Sequence, residues 1–375
     1  MPRVLTGLDV LVEADFAPLR GARIGLITNH TAIDAQRRHV LDLMLAAGVE
    51  VAALFSPEHG FAGQVDERVG SSVHAATGLP IHSLYGETEA PTPETLAGLE
   101  ILVFDIADIG VRFYTYTTTM ALCLRAAAEA GLRFLVLDRP NPITGNMVDG
   151  PVLDEPFKLL SAWHPVALRH GMTVGELALW SNTEYCLRAD LDVLGCYGWD
   201  RGMWFDETGL PWVNPSPNMR NLREAILYPA IGPLEACSIS VGRGTDTPFE
   251  LFGAPWVDDV ALAEALNNAD IAALSFVPVR FTPTSSKFAG EECGGCYVLS
   301  ESCTALRPVK AAVQIALALK RLFGDAFDHQ KMAHLLGSKR AVESIGALHE
   351  AEDIVDAWRA EKEEFAERRK AYLLY

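Results

Sequence analysis

The chain lacks an apolar run long enough to cross a membrane, and it lacks any block of lysines and arginines. Its 31 cationic residues stand against 49 acidic ones, for a formal charge of −18. Nucleic acid binding needs a concentrated cationic surface, so neither nucleic acid nor a membrane is the expected partner. Residues Met1 to Asp9 carry one positive charge and no continuous apolar core, which does not read as a secretory signal. The cysteines number seven, and five of them (Cys123, Cys186, Cys196, Cys237, Cys303) have no close companion. That usage fits thiols in a reducing compartment, so the cytoplasm is expected, or a secreted or periplasmic site if the chain is a processed form.

Several chemical signatures are missing as well. The turn Thr28-Asn29-His30-Thr31-Ala32 has none of the glycines that admit a pyrophosphate, and no phosphate-loop lysine motif occurs. There is no Gly-x-Ser-x-Gly elbow to support serine-hydrolase chemistry, and with no His-Glu-x-x-His pair and no phosphate-binding glycines, neither a metal nor a nucleotide cofactor is expected. Cys293-Gly-Gly-Cys296 has the spacing of redox and zinc motifs but too few further ligands nearby. Gly242-Arg243-Gly244-Thr245 is read as a tight turn presenting Arg243.

What is present is alternation. Apolar runs at 23–28, 49–55, 101–106 and 133–138 are separated by helix-like stretches at 38–47 and 115–130. Continuous β-rich runs between helices predict parallel strands buried on both faces, an α/β doubly wound, mostly parallel sheet. An insertion at 61–98, rich in proline and glycine, is expected to form a flap or hairpin. Thr173 with Glu176 predicts a capped helix over 173–185, followed by a short strand near 191–194. The 375 residues suggest two domains, and the proline-rich stretch 212–217 places the boundary, giving 1–212 and 213–375. In the second part, strands are expected near 237–241, 276–281 and 295–299. Helices are expected at 257–269, 308–323 and 350–372, the last a solvated charged face.

Ligands of open parallel sheets sit outside the carboxyl ends of the strands. The four predicted strand ends offer Asn29-His30, then Glu58-His59, then Asp105 and Asp108 with Arg112, then Asp138-Arg139 with Asn141. Pro57 and Gly60 bend the chain around Glu58 and His59, presenting an acid beside an imidazole. Arg112 either pairs with Asp105 or Asp108 or binds an anion, and both roles stand open. Tyr114 and Tyr116 offer stacking surfaces and hydroxyls. Acid/base catalysis on a polar substrate fits these groups best. A metal-dependent hydrolase using His30, His59 and Asp105 is a further reading, and a non-catalytic sugar-binding protein is another.

The segments ITNHTA (27–32), SPEHGF (56–61), DIADIGVRFYTY (105–116), DRPNPITG (138–145), GMTVGELA (171–178), PSPNM (215–219) and VGRGTDTPFELFGAPW (241–256), with the stretch from Ser286-Lys287 to Cys296, resemble a bacterial family of exo-β-N-acetylmuramidases of peptidoglycan recovery. The family was long catalogued as a domain of unknown function. The resemblance implies a Rossmann-like domain beside a second, smaller α/β domain, with the active site in the cleft between them. It also implies release of N-acetylmuramic acid from the non-reducing end of peptidoglycan fragments or of muramyl-glucosamine disaccharides. Glu58 matches the favoured acid of the family's Ser-Pro-Glu-His-Gly motif. A glycosidase needs a second group besides its acid, and Asp105 is the expected one, with His59 or a neighbouring carboxylate positioning water. Arg112, Arg243 and Lys287 are the candidates for the lactyl carboxylate. Asn29, His30, Asp108, Tyr114, Tyr116, Asn141 and Asn218 are the candidates for the remaining polar groups. The saccharide is the only expected partner, and the oligomeric state is left open.

Overall fold

The computed structural model describes residues 3–63, 70–155, 159–161 and 163–375. The first part of the chain runs α1 (Gly7–Glu13), β1 (Arg23–Thr28), α2 (Val40–Ala46), β2 (Glu50–Ser56), β3 (Ser72–Val73), β4 (Pro80–Ser83) and α3 (Pro93–Leu96). It continues with β5 (Ile101–Asp105), α4 (Thr115–Ala130), β6 (Arg133–Leu137), β7 (Asp149–Val152), β8 (Ala167–Arg169), α5 (Val174–Glu184) and β9 (Asp190–Leu194).

Seven of these strands form one sheet in the order β3-β4-β2-β1-β5-β6-β9, parallel throughout except for the β3–β4 pair. Alternate residues of its central strands enter two different cores, as the two-residue period of a strand requires. Leu102 and Phe104 of β5 face one core with α4, while Ile101 and Val103 face the other with α1 and α2. Helices therefore cover both faces, and the sheet is the doubly wound, Rossmann-like one expected. β2 and β5 flank β1 on opposite sides, so the loops that follow them diverge around a crevice at the carboxyl edge.

The insertion at 61–98 is only partly a hairpin. Its β3 and β4 pair antiparallel, but β4 also runs parallel to β2 and widens the main sheet. Residues 64–69 of that insertion, like Met1-Pro2, lie outside the described residues.

Beyond the extended stretch at 212–217 come α6 (Leu222–Ile231), β10 (Leu251–Ala254), α7 (Asp259–Asn268), β11 (Leu274–Phe281), β12 (Cys293–Ser300) and α8 (Pro308–Phe323). The three strands form a smaller antiparallel sheet, β10-β12-β11. Two expectations need correction here. The strand near 237–241 is reduced to a single bridge between Ser240 and Gly253, because Gly242 turns the chain away at φ +81°. The helix expected over 350–372 breaks at the buried Trp358, and its Arg369 is not solvated but donates to the carbonyls of Gly145, His170 and Gly171. Cys293 and Cys296, an odd number of residues apart on β12, point to opposite faces and remain free thiols. Among the described residues no helix is long and apolar enough to cross a membrane.

Candidate active site

Glu58 lies in the turn that follows β2. His59 and Gly60 both adopt left-handed backbone conformations, φ +68° and +73°, and the Gly60 amide donates to the Pro57 carbonyl at 3.1 Å. Left-handed backbone at a non-glycine residue costs energy, so the surrounding contacts must hold His59 there. The turn leaves the Glu58 carboxylate half-buried, and Thr115 Oγ1, from the first residue of α4, donates to its Oε2 at 2.6 Å. Oε1 is thereby left to meet a ligand.

A cavity of about 340 Å³ opens in front of this carboxylate. Glu58, His59, Tyr85, Tyr114 and Thr115 line it from the large sheet's side, and Asn218, Tyr228, Glu235, Arg243 and Phe249 from beyond the 212–217 stretch. Glu235 is the second carboxylate on this wall, ion-paired with Arg243. The guanidinium is presented by a turn in which Gly242 and Gly244 both have positive φ. Tyr228 packs edge to face on Phe249 and tilted against Phe113, with ring centroids 4.6 Å and 4.9 Å away, and the three rings give the cavity a stiff aromatic side. Burial, with Glu235 and Glu58 nearby, holds the Tyr228 hydroxyl well above its ordinary pKa, so it stays a donor.

The other groups named from the sequence occupy different places. Asp105 is fully buried, its two oxygens taken by Arg139 Nε at 2.5 Å and Nη2 at 3.0 Å, and it is not on the cavity wall. Arg112 is also buried and donates to the carbonyls of Pro151 at 2.7 Å, Val166 at 2.8 Å and Leu336 at 2.6 Å, so it bridges chain segments rather than meeting an anion. Lys287 spends its ammonium on the Glu235 and Cys237 carbonyls, and desolvation lowers its pKa. Asn141 Nδ2 donates to the Met172 carbonyl at 2.9 Å, and its Oδ1 accepts from the Ile143 amide, an internal turn contact. Asn29 Oδ1 accepts from the amide and hydroxyl of Thr31. Tyr116 lies beneath the wall, its hydroxyl donating to the Pro215 carbonyl at 2.5 Å.

Asp108 lines a separate small cavity of about 50 Å³, with Trp212 and Pro215 across from it. Burial pushes its carboxyl up to about 7, while the His170 imidazole 3.9 Å away is pushed down to about 3 by burial and by nearby cationic groups. His30 Nε2 donates to the Asn214 carbonyl at 2.7 Å, and its ring edges an open groove next to the Glu58 cavity. Burial lowers its pKa. Among the described residues no three His, Cys, Asp or Glu side chains gather as metal ligands, and His30, His59 and Asp105 form no such set.

Of the candidates expected from the sequence, Glu58, His59, Tyr114, Asn218 and Arg243 line one cavity, and Tyr85, Thr115, Tyr228 and Glu235, which are not among those candidates, line it with them. Tyr85 was findable, because it follows β4 as Glu58 follows β2, once the insertion is read as containing a strand. Thr115 begins a correctly expected helix. No local signal marks Glu235.

Known proteins resemble this chain in sequence and fold. The N-terminal model of the exo-β-N-acetylmuramidase NamZ matches residues 24–223, and the corresponding C-terminal model matches residues 226–375. The chain is 40% identical over 380 residues to the peptidoglycan β-N-acetylmuramidase NamZ of Bacillus subtilis (strain 168), covering all of this chain and 92% of that protein. Two crystal structures of DUF1343 family proteins from Bacteroides fragilis NCTC 9343 superpose on it. One has a TM-score of 0.92 at 34% identity over the whole of both chains, the other 0.80 at 32% identity over 99% of each. The chain belongs to the NamZ exo-β-N-acetylmuramidase family.

Proposed function

We propose that this protein is an exo-acting glycoside hydrolase that releases N-acetylmuramic acid from the non-reducing end of peptidoglycan fragments or muramyl-glucosamine disaccharides, with Glu58 as general acid. The observation that carries this reading is the Glu58 carboxyl in the mouth of a cavity that also holds a second carboxylate, an arginine and an aromatic wall. At about 340 Å³ the cavity is at the small end of the range for small-molecule sites, which suits one amino sugar rather than a glycan chain. It lies between a Rossmann-like part, 1–212, and a smaller part, 213–375.

In this reading a proton on Glu58 Oε1 passes to the glycosidic oxygen as the bond to C1 breaks, while Thr115 keeps Oε2 as acceptor. Glu235 takes the place expected for Asp105 as the second carboxylate, because it stands on the cavity wall and Asp105 is committed to Arg139. Arg243, ion-paired with Glu235 on the cavity wall, is the cationic group suited to a lactyl carboxylate. His59, at the same turn, is the candidate for positioning water. The seven free thiols support action in a reducing compartment on imported saccharides.

Product analysis on muramyl-glucosamine and on the matching glucosaminyl disaccharide, with and without a chelator, tests the reading. Release of N-acetylmuramic acid from the first alone, unaffected by chelator, is expected. Binding without release would sink the hydrolase in favour of a sugar-binding protein.

A further inference from the structure

The turn that carries Glu58 has two sides. Glu58 and His59 line the cavity, whereas Ala62 and Gly63, a few residues on, line an open groove of about 560 Å³. The extended segment after residue 211 divides in the same way. Trp212, Asn214 and Pro217 border the groove, Asn218 and Met219 border the cavity, and Ser216 borders both. The two spaces are therefore neighbours across Ser216, with the Glu58 turn running along both.

Trp212 is fixed within this groove. Its indole Nε1 donates to the Met219 carbonyl at 3.4 Å, and its ring meets Phe205 at 5.2 Å and 89°, leaving it half-buried. The backbone beside it is braced by His30, whose Nε2 donates to the Asn214 carbonyl. Gly63 allows that brace, because a Cβ there would fall 1.8 Å from the His30 ring. A rigid aromatic ring held by its edge beside an exposed amide side chain is the usual furniture of a sugar subsite.

We propose that this groove receives the sugar on the leaving side of the scissile bond, an N-acetylhexosamine, with Trp212 as its stacking platform and Asn214 beside its polar edge. The inference rests on the function proposed above. If the cavity takes one sugar and Glu58 protonates the oxygen joining it to the next, the next sugar lies across that carboxyl, where the groove opens to solvent. His30 acts as a positioning residue, through the carbonyl it holds.

The test compares Trp212→Ala, Trp212→Leu and Trp212→Phe with the unaltered protein on muramyl-glucosamine and on methyl β-N-acetylmuraminide, whose leaving side is a single methyl. The Ala and Leu variants are expected to lose about ten-fold in kcat/KM on the disaccharide and far less on the methyl glycoside, with Phe restoring most of the loss. Equal losses on both substrates, or none, overturn the groove assignment. Should Ala fail to fold, the split between Leu and Phe decides the matter. Cleavage of neither substrate by the unaltered protein would instead overturn the function proposed above. In that event titration with methyl β-N-acetylglucosaminide, followed at the Trp212 indole N–H, still reads the groove: a shift supports it and silence overturns it.

Discussion

Thr115 Oγ1 donates to Glu58 Oε2 at 2.6 Å, joining the turn after β2 to the first residue of the helix after β5. The two segments come from opposite sides of β1, so the hydrogen bond closes the carboxyl edge of the sheet around the acid. Glu58→Gln is expected to lower disaccharide turnover by about 10²- to 10⁴-fold and to cost much less on an aryl muraminide, whose leaving group needs little protonation. Near-normal turnover of the disaccharide would remove Glu58 from the acid role. Thr115→Val, which keeps the shape and deletes the donor, should lower kcat by about ten-fold with little change in KM.

Arg243 and Glu235 form one unit on the opposite wall. Replacing Arg243 with Ala should weaken a muramide far more than the matching glucosaminide, because only the former carries a carboxylate. A loss of about ten-fold or more in relative kcat/KM is expected for a charge-assisted contact. Glu235→Gln should lower kcat on both sugars. Equal effects of Arg243→Ala on the two sugars would show that the arginine serves only to hold Glu235.

Asp105 and Arg139 are a buried pair, and breaking one side of such a pair leaves an uncompensated charge. Asp105→Asn is expected to destabilise the protein by roughly 3–5 kcal/mol, read as a lower denaturation midpoint. A double change to Asp105→Asn with Arg139→Met should recover part of that loss. If Asp105→Asn instead left stability unchanged and abolished turnover, the residue would belong to the chemistry after all.

Asp108 gives stability a pH dependence of definite sign. Burial raises its carboxyl from 3.8 to about 7, so the folded protein holds a proton there that the unfolded chain releases. Its contribution therefore declines as pH rises from about 4 towards 7 and is constant beyond. Asp108→Asn keeps the acceptor for the Gly110 amide and removes the titration. Between pH 5 and pH 8 the variant should gain on the unaltered protein by at most about 3 kcal/mol, measured by denaturation at the two pH values.

The last residue is anchored. Tyr375 donates its hydroxyl to the buried Asp138 Oδ2 at 2.6 Å and accepts from the Cys196 amide at 2.7 Å, and the Leu374 amide donates to Glu176 at 2.9 Å. Tyr375→Phe should cost about 1–3 kcal/mol in thermal or denaturant unfolding, because Asp138 loses a donor in a water-poor place. An unchanged midpoint would mean that water replaces the hydroxyl.

Short-range rules made much of the fold legible from the sequence. The runs at 101–106 and 133–138, the helices at 115–130 and 308–323, and the Thr173 cap of α5 all follow from periodicity, chain stiffness and local hydrogen bonding, which act over a few residues. The bent turn at Glu58 was legible for the same reason, since proline and glycine declare it locally. Only tertiary structure decided which polar groups face the cavity. Asp105, Arg112, Asn141 and Lys287 looked like surface chemistry, yet each is spent on a partner from elsewhere in the chain. Tyr228 and Glu235 looked unremarkable, yet folding sets them across from Glu58. A polar side chain's task depends on whether its hydrogen-bonding capacity is already filled, and distant segments that meet only in the folded chain do the filling.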